Sequence, residues 1–429
     1  MCLALALLTA AGMGCRSRAD VRSGADTLSL KNGIRVVVVR IPGTSNTSIF
    51  TYLPMGLASD GAGQAQWSHL VEHLVLRTTV PFGSQEANAE TLPDHLRLDF
   101  YGTTENWEDG LSHHVRWLEG VPFAEQSLTA EKPRVNAECD TVAQSLATHK
   151  FAMAAWAQGY RFGRPHAAIK GDVERATLAD IQRYRDERLP VLEKVVVCIV
   201  GGLDAETVTP VVIEQLGKLT SEAKLPAPVA ATGGSREMTW DLAARHLVLT
   251  WPVPDLTAPD YPALMVAGQW LTMQLFGDQE LKALTGMAFA GADLTTPEGR
   301  FFYVSASVRP EASFQAVQAK LDTHLAALRT NEPGPAEAPQ IGRQLSDALT
   351  TIPDVAMVKA QAPPNMTEAM IEGNLGLQYG MHQYRYGSHR TAIADGLAAV
   401  TAADVRQAAQ EHLAPERCSL CTLRPESPT

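Results

Sequence analysis

Thr177–Asp204 reads TLADIQRYRDERLPVLEKVVVCIVGGLD, and Thr401–Pro425 reads TAADVRQAAQEHLAPERCSLCTLRP. In each, a threonine opens a helical pattern with an aspartate three residues on, the grammar of an N-cap. A run of apolar residues then reads as a buried strand. One offset of 224 residues aligns Thr177 with Thr401, Asp180 with Asp404, Ile181 with Val405, Glu187 with Glu411 and Leu189 with Leu413. A single register held through helix and turn indicates a duplicated unit. The expected fold is α+β, with two homologous domains, each an antiparallel-rich sheet packed with helices.

Outward from these segments, Leu219–Ser235 (LTSEAKLPAPVAATGGS) is rich in Pro, Ala, Gly and Ser and lacks apolar periodicity, so residues 221–235 read as a linker. The expected domains are 26–220 and 236–429. In the first, Asn32-Gly33 and Pro42-Gly43 punctuate β-rich runs, and residues 66–145 read as mainly helical. Residues 1–25 read as a leader: Leu3–Ala11 is a short apolar core, followed by Gly12-Met13-Gly14-Cys15. The small residues before Cys15 resemble a lipoprotein processing site, which makes Cys15 a lipidation candidate. A periplasmic or cell-envelope location with a lipid anchor follows, or a cytoplasmic one if the leader is not a signal.

The chain has 429 residues, 36 basic and 47 acidic, for a net charge of -11. No basic cluster stands out, which argues against a nucleic-acid partner. Cys418 and Cys421 form a lone C-x-x-C in a strand-like run, where an i, i+3 pair faces opposite ways; it makes a poor metal or redox pair. His113 and His114 are adjacent and diverge by about 100° on a helix.

The chemistry lies in Trp67–Leu76, WSHLVEHLVL. On a helix, His69 and His73 are one turn apart and can aim two imidazoles at one point. Glu72 shares their edge. Two neutral imidazoles with a nearby free carboxylate suit a catalytic metal, because the carboxylate can take a proton from a bound water. The intervening residues are apolar, as in a core helix. A Glu buried among them without a partner would be costly.

H-x-x-E-H is the signature of the inverted zincins, and the surrounding residues resemble the pitrilysin/insulinase-type metallopeptidases, whose relatives include the mitochondrial processing peptidase. Gly56-Leu57-Ala58-Ser59-Asp60 resembles the family's turn before the motif helix. Asn88-Ala89-Glu90-Thr91 resembles its N-A-x-T segment, and LTAEKPRVNAECDTV its E-K-x-x-V-x-x-E helix. FGRPH, TLADIQRY and VVVCIVGGLD follow in family order. The resemblance implies zinc held by His69, His73 and Glu138, Glu72 as general base, and Glu131 as a supporting carboxylate behind the site. It implies hydrolysis of extended peptides that add as a strand to a sheet edge.

The sequence departs from that family at three places. Gln66-Trp67-Ser68 replaces a small, glycine-containing approach to the first histidine. Lys282 and Phe289 stand where active members carry Arg and Tyr. Phe has no hydroxyl to donate to an oxyanion, and Lys lacks a bidentate guanidinium. The expectation is a zinc endopeptidase subunit that needs a homologous partner, in a heterodimer or homodimer, to supply those donors. The alternative is a non-catalytic structural or peptide-binding homologue that keeps the zinc motif.

Overall fold

The computed structural model describes residues 25–61, 63–84, 86–92, 94–142, 171–189, 191–223, 234–240, 245–296, 299–331, 333–351, 358–360, 362 and 366–425. Cys15, the rest of the leader to residue 24, FGRPH and most of the linker lie outside them. The first sheet contains β1 (Ala25–Ser29), β2 (Arg35–Arg40), β3 (Asn46–Leu53), β4 (Ala87–Thr91), β5 (Leu96–Thr103) and β6 (Val196–Gly201), in the order β1-β2-β6-β3-β5-β4. Only β2 and β6 pair in parallel. The second contains β7 (Arg236–Trp240), β8 (His246–Pro252), β9 (Thr285–Thr296), β10 (Gly299–Val308) and β11 (Ser419–Pro425), in the order β7-β11-β8-β10-β9. Here β7 and β11 are the parallel pair. Dropping β1 superimposes one topology on the other, with β6 and β11, the strands of the aligned segments, in equivalent places.

The helices in chain order are α1 (Trp67–Arg77), α2 (Trp107–Glu119), α3 (Glu125–Val142), α4 (Gly171–Arg175), α5 (Leu178–Arg188), α6 (Ala205–Gln215), α7 (Tyr261–Gly277), α8 (Gln279–Leu284), α9 (Phe314–Thr330), α10 (Glu337–Thr350), α11 (Glu368–Tyr386), α12 (Arg390–Ala399) and α13 (Ala402–His412). Thr177 and Thr401 cap α5 and α13, their hydroxyls accepting from the backbone N–H of Asp180 and Asp404. The expectation that residues 66–145 are mainly helical fails at 87–103, which form the antiparallel pair β4–β5. Leu96, Leu98 and Phe100 alternate onto one core, a period of two that outweighs the flanking helical patterns.

The first core lies between one face of the first sheet and α1, α2, α3, α5 and α6, with Val36, Val38, Ile49, Leu53, Val197 and Ile199 facing it. The opposite face is also covered, which is why β2 and β6 are apolar on both sides. Its cover is α11, which belongs to the second half by sequence. Gly373, Gly376 and Gly380 line the contact, and a Cβ at 376 would stand 1.9 Å from Val200 Cγ2. The helix can lie this close only because its face is bare backbone. Polar ties hold both ends. Glu372 accepts from Thr44, from Asn46 Nδ2 (3.2 Å) and from Lys359 Nζ (2.8 Å). Arg385 makes a two-point contact with the buried Asp94 carboxylate at 2.9 and 3.0 Å. The two halves are thus joined by packing as well as by the chain. Among the described residues no helix is long and apolar enough to cross a membrane.

Candidate metal centre

Helix α1 starts without a side-chain cap of its own. Its N-terminus is held instead by Asp60, fully buried, which accepts from the Ser68 backbone N–H (3.0 Å), the Ser68 hydroxyl (3.2 Å) and the Tyr184 hydroxyl on α5. An acceptor here satisfies exposed N–H groups and complements the helix dipole. Burial pushes the Asp60 carboxyl up to about 7 against the pull of these hydrogen bonds. Trp67 packs edge-on against Tyr184 and donates its indole N–H to the Asp172 carbonyl (3.0 Å). Leu70, Val71, Leu74 and Val75 are buried, which leaves His69 and His73 facing α3.

On α3, Glu131 and Glu138 are seven residues apart and share a face, while Leu128, Val135 and Cys139 enter the core. Glu138 reaches both histidines: its carboxylate oxygens lie 3.2 Å from His69 Nε2 and 3.7 Å from His73 Nε2. All three donor atoms fall within 4.8 Å of one another. The Nδ1 atoms point away, to separate acceptors. His73 Nδ1 meets Glu131 at 2.9 Å, and His69 Nδ1 meets the side-chain amide oxygen Oε1 of Gln66 at 3.0 Å. With each Nδ1–H donated, each Nε2 presents its lone pair to the common point. Ligands at about 2.0–2.2 Å from a tetrahedral ion stand about 3.3 Å apart, so this donor set and spacing fit a divalent metal.

The charges agree with that use. The Glu138 carboxyl is held far below the usual carboxylate range by hydrogen bonds from His69 and His73. Burial would raise Glu131, but the bond from His73 and the charges of Arg134 and Arg77 bring it down. Burial also opposes charge on His73, yet its bonds to Glu131 and Glu138 lift it to about 10 in the metal-free protein. Glu72 is buried beside the pair and accepts from the Thr91 hydroxyl at 2.6 Å. Thr91 ends β4, the edge strand of the first sheet, so one oxygen of Glu72 is fixed from the sheet. The sequence reading did not single out Thr91, Gln66 or Asp60 for these contacts. The cues were that Thr91 and Asp60 sit in the two family-like segments flanking the motif and that Gln66 stands where a glycine-containing approach is expected.

Lys282 is exposed on α8, and Phe289 is half-buried on β9, with its ring edge-on to Tyr303 at 6.3 Å between centroids. Elsewhere, His114 is buried and bonded to the Thr51 hydroxyl at 2.7 Å, whereas His113 stacks on Phe100. Asp260, Glu411 and His412 also gather donor atoms, where His412 at the end of α13 bonds Asp260 before α7. The four described cysteines, Cys139, Cys198, Cys418 and Cys421, form no disulfide.

Residues 175–345 match the family model described as the peptidase M16 inactive domain. That span contains Lys282 and Phe289 and none of His69, Glu72, His73, Glu131 or Glu138. No curated protein matches the chain. Among solved structures, a protease from Helicobacter pylori has a TM-score of 0.72 at 17% identity, covering 94% of this chain and 100% of that one. A peptidase M16 inactive domain from Pseudomonas fluorescens follows at 0.68 and 16%, covering 94% and 98%. The first half of the periplasmic protease PqqL from Escherichia coli gives 0.61 at 14%, covering 94% and 92%, and the chain spans 48% of the whole of PqqL. The α+β fold is that of M16-like peptidases, and the family match supports the pitrilysin-type resemblance read from the sequence.

Proposed function

We propose that this chain, with its pitrilysin-type fold, is a zinc-binding and peptide-binding subunit that does not hydrolyse peptides on its own. The observation that carries the metal is the convergence of His69, His73 and Glu138, with both Nδ1 atoms tied to acceptors behind them. When bound, zinc supplies Lewis acidity, polarising a scissile carbonyl and acidifying a water. Glu72, anchored by Thr91, is placed to take a proton from that water and return it to the leaving amine. An extended peptide would pair with β4, the last strand of the first sheet among the described residues, which ends at that same threonine. Among the described residues, the positions where the family resemblance calls for an oxyanion donor do not supply one of the expected kind. Phe289 has none, and Lys282 offers a single point charge.

Two readings share this premise. In the first, a homologous partner brings Arg and Tyr to the zinc half, and the pair is an endopeptidase. In the second, the chain is a non-catalytic homologue that holds peptides and keeps the metal for structure. The match to an inactive-domain model and the likeness to the Pseudomonas fluorescens structure favour the second. PqqL, a protease built from two such halves, favours a paired arrangement. Export follows from the leader, with Cys15 as the proposed lipid anchor, and the periplasmic naming of PqqL points the same way.

Metal content and cleavage of quenched peptides test this, with wild type and Glu72→Gln, each alone and mixed with a homologue that carries the Arg and Tyr. The expected results are one zinc per chain in both proteins and no turnover by either alone. Turnover by wild type only in the mixture establishes the endopeptidase reading. Peptide binding without turnover in every mixture establishes the second. A chain that retains no zinc refutes the metal centre, and rapid cleavage by the pure wild type refutes the need for a partner.

A further inference from the structure

We infer that Gln66 is a positioning residue for the metal centre, holding a strained backbone so that its side chain can orient His69. Among the described residues it is the only non-glycine with positive φ, at φ 67° and ψ 13°. A side chain in this left-handed region crowds its own backbone, and glycine is the residue that sits there without strain. Such strain persists where the surroundings over-determine it, and it gathers at functional sites. Gln66 is 1% exposed and sits at the entry to α1, where its amide makes no capping bond to the helix. What the side chain does is accept from His69 Nδ1 at 3.0 Å.

The geometry explains why this position needs both a left-handed turn and a long amide. The backbone enters α1 pinned on one side by Asp172, whose carboxylate takes the Ala65 N–H at 2.9 Å, and on the other by Asp60, which takes the Ser68 N–H. Between those pins the left-handed residue reverses the chain into the first turn. From there, three residues before His69, a glutamine reaches the Nδ1 of the imidazole, the nitrogen turned away from Glu138. His73 has the Glu131 carboxylate in the same role. Without Gln66, the His69 ring would have no acceptor fixing its tautomer, and its Nε2 lone pair would be free to turn from Glu138. The glycine-containing approach expected from family resemblance would relieve the backbone and leave His69 untethered. This chain has exchanged local ease for a second oriented imidazole.

The inference rests on the metal reading above, and the experiment separates the two. Zinc affinity is measured on the full chain by competition with a chromophoric chelator, and thermal unfolding is followed on the metal-free protein. Wild type should bind one zinc. Gln66→Gly should bind about 10- to 100-fold more weakly, the usual loss when a ligand's outer partner is removed, while its metal-free melting temperature stays level or rises. Gln66→Glu, which keeps an acceptor at the same reach, should restore affinity to near wild type. Gln66→Asn accepts the same backbone but is too short, and should weaken binding as glycine does, which covers the case of a loosened helix start in the glycine variant. Unchanged affinity in both the glycine and asparagine variants overturns the role of Gln66 while leaving the metal centre standing. Failure of wild type to bind zinc overturns both.

Discussion

Replacing Gly376 by alanine tests how the two halves are joined. In an exposed helix this change stabilises by about 1 kcal/mol, because alanine has the better helix propensity. Here the added methyl would stand 1.9 Å from Val200 Cγ2, 2.9 Å from its Cβ and 3.0 Å from its Cγ1. Ordinary carbon contacts begin at about 3.5 Å. Rotating the valine cannot clear its Cβ, and Val200 lies in β6, between β2 and β3 in the sheet interior. The helix must therefore rise by about 1.5 Å. That loosens Leu375 and Tyr379 over Phe50, Tyr52 and Cys198. Overpacking of this kind costs about 1–3 kcal/mol. Taking the upper end against the propensity gain, Gly376→Ala should destabilise by about 2 kcal/mol. Urea unfolding would report this as a lower midpoint with the slope preserved. Gly277→Ala, where a Cβ meets nothing within 4 Å, is the control and should not destabilise. Val200→Ala should rescue part of the loss when combined with Gly376→Ala, since it removes the clashing methyls. A Gly376→Ala protein as resistant to urea as wild type would refute the close seating of α11 on the sheet.

Arg385→Met leaves the Asp94 carboxylate buried without its cation, and should cost about 3–5 kcal/mol; the double variant with Asp94→Asn should be milder, read as a double-mutant cycle in urea. Stability should also fall as pH drops from 6.5 toward 4. Burial depresses His114 and His382 to about 3 and His246 to about 4, so between those values and the unfolded value near 6.5 the unfolded chain binds three protons that the folded chain refuses. Asp60, raised to about 7, acts in the opposite sense over the same window and cancels one of them. His95 and His113, also depressed by burial, add in the same sense as the three histidines, so stability falls with pH over this window, each proton bound only by the unfolded chain contributing about 1.4 kcal/mol per pH unit. Urea midpoints at pH 6 and 5 check this, and His114→Asn should reduce the slope.

The parts of the molecule legible in the sequence were those encoded locally. The capped helices at Thr177 and Thr401, the apolar runs of β2 and β6, and the one-turn spacing of His69 and His73 each follow from a period or a cap within a short window. The pairing of Glu138 with those histidines needed the family resemblance, because nothing local distinguishes that carboxylate from others on a helix. Contacts between distant segments were not legible. Gly373, Gly376 and Gly380 look like poor helix residues until the sheet they lie on is known. Gln66 carries only one cue, that Gln66-Trp67-Ser68 stands where the family resemblance expects glycine; its left-handed backbone is set by Asp60 and Asp172 pinning the chain to either side. The β4–β5 pair was hidden for a related reason: its strand period sits between two stronger helical patterns.

The duplication itself bears on whether the chain can act alone. In the first half α1 follows β3 and precedes the β4–β5 pair; in the second, α7 follows β8 and precedes β9 and β10. The two helices occupy equivalent positions, but their contents differ completely. α1 presents two imidazoles and a carboxylate. α7, YPALMVAGQWLTMQLFG, has no histidine and no charged residue, and Leu264, Ala267 and Leu271 are sealed in the second core. Gly268 allows that helix to sit against Gly291 of β9, where a Cβ would come within 2.7 Å of backbone. A helix with no histidine and no carboxylate offers no side chain to hold a second metal. Within the described residues, Lys282 and Phe289 are what the second half offers at the positions where family resemblance calls for donors. On the proposed reading, one copy of the unit carries the residues for binding a metal and moving a proton, and the other has no ionisable side chain on the matching helix. Among the described residues the second half sets no such donor on the matching helix, so mixing with a homologue that carries one is the decisive assay of the proposed pairing.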